Sequence, residues 1–406
     1  MFLILADLGA RIVRVSGVAS RCPAPYVLYY NNHEAAMTRI PLTLLTGYLG
    51  AGKTTLLNAL LADASAGRIA VVVNEFGDVG LDHDLIIGTT EETVLLASGC
   101  LCCTVRGDLV TALDGLLMRR AAGDLAFERI VIETTGLADP TPILHTLVVA
   151  PQLGGRLRLD GVITVCDAVN GAATLDAGFE SVQQVAMADV LVLTKTDLAH
   201  PFDIARLETR LAALAPGARL LHARHGRVPL AALFGHGAPG AGGTLPEAEA
   251  WIKAPPTAPQ PPFPAQRSGP PSGPTHGLFG LPAARPSPQT AMMPPARHDD
   301  RITSVSMVID TPIHPVMLDL WLETLLATRG AEILRLKAVL WAEGIDTPYV
   351  IHGVQHIVDP PVRLARWTGT DRKSRIVIIG RDLPQQALRD SVEMLRAGTT
   401  VHPLTA

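Results

Sequence analysis

One eight-residue stretch, Gly47-Tyr48-Leu49-Gly50-Ala51-Gly52-Lys53-Thr54, narrows the folds open to this chain more than any other feature. The pattern Gly-x-x-x-x-Gly-Lys-Thr arises by chance in only about one or two chains per hundred of this length at ordinary composition. Its surroundings make coincidence rarer. An apolar run, Leu42 to Thr46, leads into Gly47, and Thr55-Leu-Leu-Asn-Ala-Leu-Leu follows, so the pattern sits between a strand and a helix. Gly47, Gly50 and Gly52 let backbone amides turn inward around an anion, with Ala51 and Thr55 in the same cradle, and the helix start adds partial positive charge. Lys53 is expected to reach the β- and γ-phosphates of a nucleotide, and the Thr54 hydroxyl to bind Mg²⁺.

Such a loop needs an acidic group at the end of a neighbouring strand. Ile130-Val-Ile-Glu133-Thr-Thr-Gly136 supplies one, and places a glycine where its amide can approach a γ-phosphate. Lys53, Thr54 and Glu133 are therefore the catalytic candidates. The base is read from Leu191-Val-Leu-Thr194-Lys195-Thr196-Asp197. A carboxylate at Asp197 accepts hydrogen bonds from N1–H and the 2-amino group of guanine, whereas adenine offers neither donor. Lys195 is expected to lay its alkyl stem along the base. Guanine-binding loops usually read Asn-Lys-x-Asp, so Thr194 is a departure. GTP is the favoured nucleotide, and hydrolysis the favoured reaction. No residue stands out as activating the attacking water; Glu75 and Asp82 are candidates, and slow turnover awaiting a partner fits equally.

Around these motifs, short apolar runs alternate with helical segments from 42 to about 223: strands at 42–46, 69–74, 93–97, 129–134, 159–166, 189–194 and 218–222, and helices at 54–65, 107–121, 141–149, 180–187 and 203–214. This alternation predicts an α/β fold of the P-loop NTPase kind, a mostly parallel sheet covered by helices on both faces, with ligands at the carboxyl ends of the strands. Between 236 and 300 the composition changes, and half of the chain's 32 prolines fall from Pro239 to Pro295 amid Ala, Gly, Ser and Gln. A flexible linker is expected there, its His236, His276 and His298 solvated. From 301 to 400, a strand from Ile302, a helix at 314–328 with Trp321 and Leu325 on one face, strands at 332–340, 348–357 and 375–379 and a helix at 383–396 predict a small α+β domain with its sheet covered on one side. The nucleotide-binding domain then spans 39–235. Residues 1–38 read as an extension that fits nothing downstream, Met37 looking like a natural start.

Cys100, Cys102 and Cys103 put three thiols within four residues, Gly99-Cys-Leu-Cys-Cys-Thr104. Soft thiolates suit Zn²⁺, Co²⁺ or Cu⁺. A closed structural zinc site takes four ligands, commonly two distant Cys pairs, and no second pair exists in this chain of five cysteines, so an open, exchangeable site is the better expectation. The fourth ligand is left open among Glu75, His83 and water; inert cysteines or a redox pair are the alternatives. The net charge of −4 gives no basic footprint, so neither nucleic acid nor an anionic membrane is expected as a partner. No apolar stretch of 18 or more residues is present despite 48% hydrophobic content. The odd cysteine count and a poor match to a signal peptide suggest a cytoplasmic location.

In combination these motifs resemble the CobW-type family of metal-handling P-loop GTPases. The resemblance rests on residues 47–58, Asn74-Glu75-Phe76-Gly77 with Asp82, the 99–104 cysteine stretch, Glu133-Thr-Thr-Gly-Leu-Ala-Asp-Pro140 and Thr194–Asp197, and covers about 40–235 and 300–398. Val354-Gln-His356, Trp367 and Arg375–Arg381 suggest the family's C-terminal domain. The resemblance implies a metallochaperone that binds zinc or cobalt at the cysteines and passes it to a client metalloprotein. It also implies that GTP orders the switch segments. Homo-oligomer formation stays open. The alternatives are a maturation GTPase for one client, in the cobalamin pathway or for nitrile hydratase, a nucleotide-dependent metal sensor, and a P-loop kinase. Many members carry a His-rich metal-capturing stretch, which is missing here.

Overall fold

The computed structural model describes residues 39–74, 93–96, 104–224, 227–240, 242–252, 301–359, 361–368 and 372–397. The 1–38 extension, Glu75, Asp82, His83, Cys100, Cys102 and Cys103, and most of the expected linker lie outside them. In the amino-terminal domain seven strands form one sheet: β1 (Ile40–Gly47), β2 (Ile69–Asn74), β3 (Thr93–Leu96), β4 (Arg129–Thr134), β5 (Leu157–Asp167), β6 (Val190–Thr194) and β7 (Arg219–His222). Their order is β3-β2-β4-β1-β5-β6-β7 and every pairing is parallel. A parallel sheet is covered on both faces, so its strands read as unbroken apolar runs; Val190–Thr194 is buried at all five positions. The covering helices are α1 (Lys53–Leu61), α2 (Thr104–Ala122), α3 (Thr141–Val149), α4 (Pro151–Gly154), α5 (Gly171–Ala177), α6 (Phe179–Ala186) and α7 (Pro201–Leu214). No helix among the described residues is long and apolar enough to cross a membrane.

The stretch expected to be linker differs in its first part. Leu245–Ile252 form a helix, α8, that buries Leu245, Ala248, Trp251 and Ile252. Its Trp251 and Leu245 share a core with Ile130 and Leu116 on one side and Leu334, Val339 and Val377 on the other, so α8 fills the seam between the two domains. His236 is half-buried rather than solvated, its ring bonded to the Ala232 carbonyl at 2.8 Å.

The carboxyl-terminal domain comprises β8 (Ile302–Ile309), α9 (Pro315–Arg329), β9 (Ile333–Leu340), β10 (Tyr349–Val354), β11 (Ile357–Val358), β12 (Val362–Arg363), β13 (Ser374–Arg381) and α10 (Gln385–Ala397). Its antiparallel sheet runs β11-β10-β9-β13-β8, with β12 on β10. Helices α9 and α10 cover one face through Trp321, Leu325, Leu388 and Val392. The other face was expected to meet solvent and does so only at its β8 edge, where Ser306 and Val308 are exposed; β9 is buried at all eight positions. Two of those are charged. Arg335 and Lys337 both reach Asp189, just before β6, at 2.8 Å, and Asp189 also accepts the Val162 N–H at 2.9 Å. Arg335 further donates to the Met187 carbonyl at 2.6 Å. Burial favours the neutral acid at Asp189, but the two cations and their hydrogen bonds hold its carboxyl well below the usual carboxylate range.

Candidate nucleotide site

The strand order places the two phosphate elements side by side. With β4 and β5 flanking β1, Leu45 pairs with Glu133, and the loops leaving β1 and β4 meet at the carboxyl edge of the sheet. Thr54 Oγ1 donates to Glu133 Oε1 at 2.9 Å, across 79 residues of sequence. Lys53 opens α1 with 9% of its surface exposed, and its Nζ folds back over the loop to the Tyr48 carbonyl at 3.2 Å. Two glycines are required by contact. A Cβ on Gly47, whose φ is +142°, would lie 2.3 Å from the Val165 carbonyl oxygen, and one on Gly136 would lie 2.5 Å from Leu49 N. Gly136 therefore presses its backbone against the phosphate loop. A hydroxyl and a carboxylate are hard oxygen donors, so the Thr54–Glu133 pair fits Mg²⁺ and not a soft metal.

Thr194, where Asn is usual, ties the base loop to the phosphate loop: its hydroxyl donates to the Ala51 carbonyl at 2.7 Å, with the Cys166 carbonyl at 3.1 Å. The departure from Asn thus retains a direct bond between the two loops. Thr194→Val removes that donor at nearly constant volume. It is expected to weaken both GDP and GTP binding about fivefold, a loss of about 1 kcal/mol, while Thr194→Ser stays within about twofold; isothermal titration checks both. Lys195 adopts a left-handed backbone, φ 55°, unusual for a non-glycine residue. Its ammonium donates to the Gly50 carbonyl at 2.8 Å and to Asp167 Oδ2 at 2.6 Å. The head of Lys195 is thereby anchored on the phosphate loop and on the end of β5. Asp197 lies exposed at the rim.

Asp167 belongs to this crevice although no motif marks it. Burial opposes charge on Asp167, yet Lys195, Asn170 and the amides of Val169 and Asn170 hold its carboxyl below the usual range. An acid closing the apolar run of β5 was the available signal. Ala223, directly after β7, donates its N–H to the Leu193 carbonyl at 2.8 Å and so ties the end of β7 to the end of β6. Cys166 stands apart from the other cysteines: burial, with the Asp167 charge, pushes its thiol up to about 12, so it stays protonated at neutral pH. Of the residues expected to bind metal, Thr54 lies in this crevice; Glu75, Cys100, Cys102 and Cys103 are outside the described residues. Among the described residues no three His, Cys, Asp or Glu side chains converge to hold a metal ion.

Two family models match in chain order: "CobW/HypB/UreG, nucleotide-binding domain" over residues 41–222 and "Cobalamin synthesis protein cobW C-terminal domain" over 302–396. The zinc chaperone YjiA of Escherichia coli is 32% identical over 365 residues, covering 89% of this chain and 100% of its own length. The zinc-regulated GTPase metalloprotein activator 1 of Schizosaccharomyces pombe is 36% identical over 207 residues, 48% of this chain and 49% of that protein. The zinc chaperone CobW of Pseudomonas aeruginosa is 37% identical over 231 residues, 49% of this chain and 60% of that protein. Among solved structures, the Zn(II)-bound YjiA GTPase of E. coli superposes with a TM-score of 0.62 at 28% identity, over 88% of this chain and 99% of that one. With both domains matched in order and a relative matched along its whole length, the chain belongs to the CobW family of P-loop GTPases.

Proposed function

We propose that this protein is a GTP-hydrolysing metallochaperone that takes up zinc, or cobalt, at Cys100, Cys102 and Cys103 and delivers it to a client metalloprotein. The observation that carries the nucleotide half is the 2.9 Å contact between Thr54 and Glu133, which joins two phosphate-handling motifs into one crevice. Support for the metal half comes from the zinc-chaperone names of relatives, above all the one matched end to end.

In this reading Gly47–Thr55 wraps the phosphates, and the Lys53 ammonium swings from the Tyr48 carbonyl to the β- and γ-oxygens. Thr54 and Glu133 would hold Mg²⁺, which offsets phosphate charge when bound. The Gly136 amide meets the γ-phosphate, Asp197 reads guanine and the Lys195 stem lies along the base. Zinc is cargo, bound by thiolates that release their protons on binding. Binding of GTP and of metal influence each other only through geometry that differs with and without γ-phosphate.

The test is a titration of Zn²⁺ and Co²⁺ against the wild type and the Cys100/Cys102/Cys103→Ala variant, each with GDP and with a non-hydrolysable GTP analogue. Wild-type affinity is expected to differ about tenfold between the two nucleotides, within the usual span of allosteric coupling. The triple variant should lose both the tight site and the difference. Equal metal affinity in all four states would sink the coupled chaperone.

A further inference from the structure

Helix α6 grips the loop after Glu133 with two adjacent glutamines. Gln184 Nε2 donates to the carbonyls of Gly136 at 3.2 Å and Ala138 at 3.0 Å. Gln183 Nε2 donates to Asp139 Oδ1 at 2.8 Å and Thr141 Oγ1 at 3.1 Å. Two carbonyl partners can be met only by the NH₂ end of an amide, so chemistry fixes which way Gln184 points. Among the described residues its buried Oε1 has no hydrogen-bond partner, and the residue is 1% exposed. Gln184 also borders a small cavity behind the phosphate loop, shared with Tyr48, Leu49, Cys166 and Ser181. An orphaned buried oxygen is unfavourable for stability, so what Gln184 contributes lies in the two bonds its NH₂ makes. What it holds is the backbone of Gly136, the residue already pressed against Leu49 of the phosphate loop. The carboxyl end of the same helix, capped by Met187 three residues after Gln184, is held by the other domain through Arg335 Nη1 and the Met187 carbonyl at 2.6 Å.

We propose that Gln184 is a positioning residue for GTP hydrolysis. By holding the Gly136 and Ala138 carbonyls it sets where the Gly136 N–H stands relative to the phosphate loop, and α6 transmits to that placement the grip of the carboxyl-terminal domain on Met187. The inference rests on the reading above that this crevice binds GTP. A GDP-bound site has no γ-phosphate for Gly136 to meet, so the clamp acts on turnover and leaves GDP binding to Lys53, Thr194 and Asp197.

The experiment measures kcat and KM for GTP, Kd for GDP and thermal unfolding in wild type, Gln184→Met and Arg335→Lys. Methionine keeps the length of the side chain and removes the NH₂. Lysine keeps a cation for Asp189 and loses the second donor to Met187. Gln184→Met is expected to lower kcat about tenfold, with KM for GTP and Kd for GDP changed less than about threefold, and Arg335→Lys to lower kcat about threefold in the same pattern. An unchanged kcat in Gln184→Met overturns the inference, as does a parallel loss of kcat and GDP affinity, the signature of a merely structural residue. An unchanged kcat in Arg335→Lys overturns the link to the second domain. If Gln184→Met does not fold, Gln184→Glu keeps the shape, sets an acceptor against two carbonyls and is read by the same split. Wild type that binds no GTP overturns the GTPase reading itself, whereas wild-type turnover beside an unaltered Gln184→Met overturns only the clamp.

Discussion

Asp197→Asn should exchange the protein's preference for GTP for a preference for XTP. The carboxylate can accept from both N1–H and the 2-amino group of guanine, each a hydrogen bond to a charged acceptor and worth about 1.5–3 kcal/mol. An asparagine amide turns one acceptor into a donor, which then faces the 2-amino group. Xanthine carries a carbonyl at that carbon, so the same amide now finds a partner. Because Asp197 stands exposed at the rim, the low end applies: the bond to the 2-amino group is lost and the one to N1–H loses its charge, together about 2 kcal/mol or roughly a thirtyfold loss for GTP. XTP should gain by a similar factor. Competition of both nucleotides against a fluorescent guanine nucleotide measures the two affinities directly. A GTP affinity unmoved by the substitution would remove Asp197 from base recognition, while leaving Thr194 and Lys195 as the ties to the phosphate loop.

The sheet and the phosphate loop were legible because each is a local pattern. Buried parallel strands are apolar at consecutive positions, so Ile130–Ile132 and Val190–Leu193 declare themselves without knowledge of their neighbours. The features that escaped depend on distant partners. Leu-Arg-Leu-Lys within β9 alternates like a strand with one solvated face, and only the approach of Asp189, some 146 residues away, buries that face. Leu245–Ile252 sits in a proline-rich background that masks one short apolar helix, whose burial needs both domains. Seven-residue α5, rich in Gly and Ala, gave no periodic signal long enough to read. In the crevice, glycine, lysine and carboxylate positions could be named from the motifs, but the route by which Thr194 reaches Ala51 could not. That contact joins residues 143 apart in sequence.

Substituting the buried carboxylate between the domains should produce the largest change in stability. Asp189 is matched by two cations, Arg335 and Lys337, all three with side chains no more than 9% exposed. Asp189→Ala leaves both cations buried without their counter-ion, a loss of about 3–5 kcal/mol on precedent for broken buried pairs. The loss should depend on pH in a definite sense. In the wild type the folded carboxyl lies below its unfolded value, so its contribution is present above the unfolded pKa of about 4 and disappears as pH falls toward the folded value. In the variant the relevant group is Lys337. Burial already lowers its affinity for a proton and Asp189 opposes that; without Asp189 the ammonium is depressed further. The unfolded chain then binds more protons than the folded one over a wider range below about pH 10, and the variant's stability rises with pH across it. Urea denaturation at pH 6 and pH 9 should therefore show the gap between wild type and variant narrowing at the higher pH. Replacing all three residues by apolar side chains of similar volume should recover most of the loss, because the desolvation of three charges disappears with them. A triple variant as unstable as Asp189→Ala would show that the hydrogen bonds it loses, Arg335 to the Met187 carbonyl between the domains and Val162 N–H to Asp189 within the first, outweigh the cost of burying the charges.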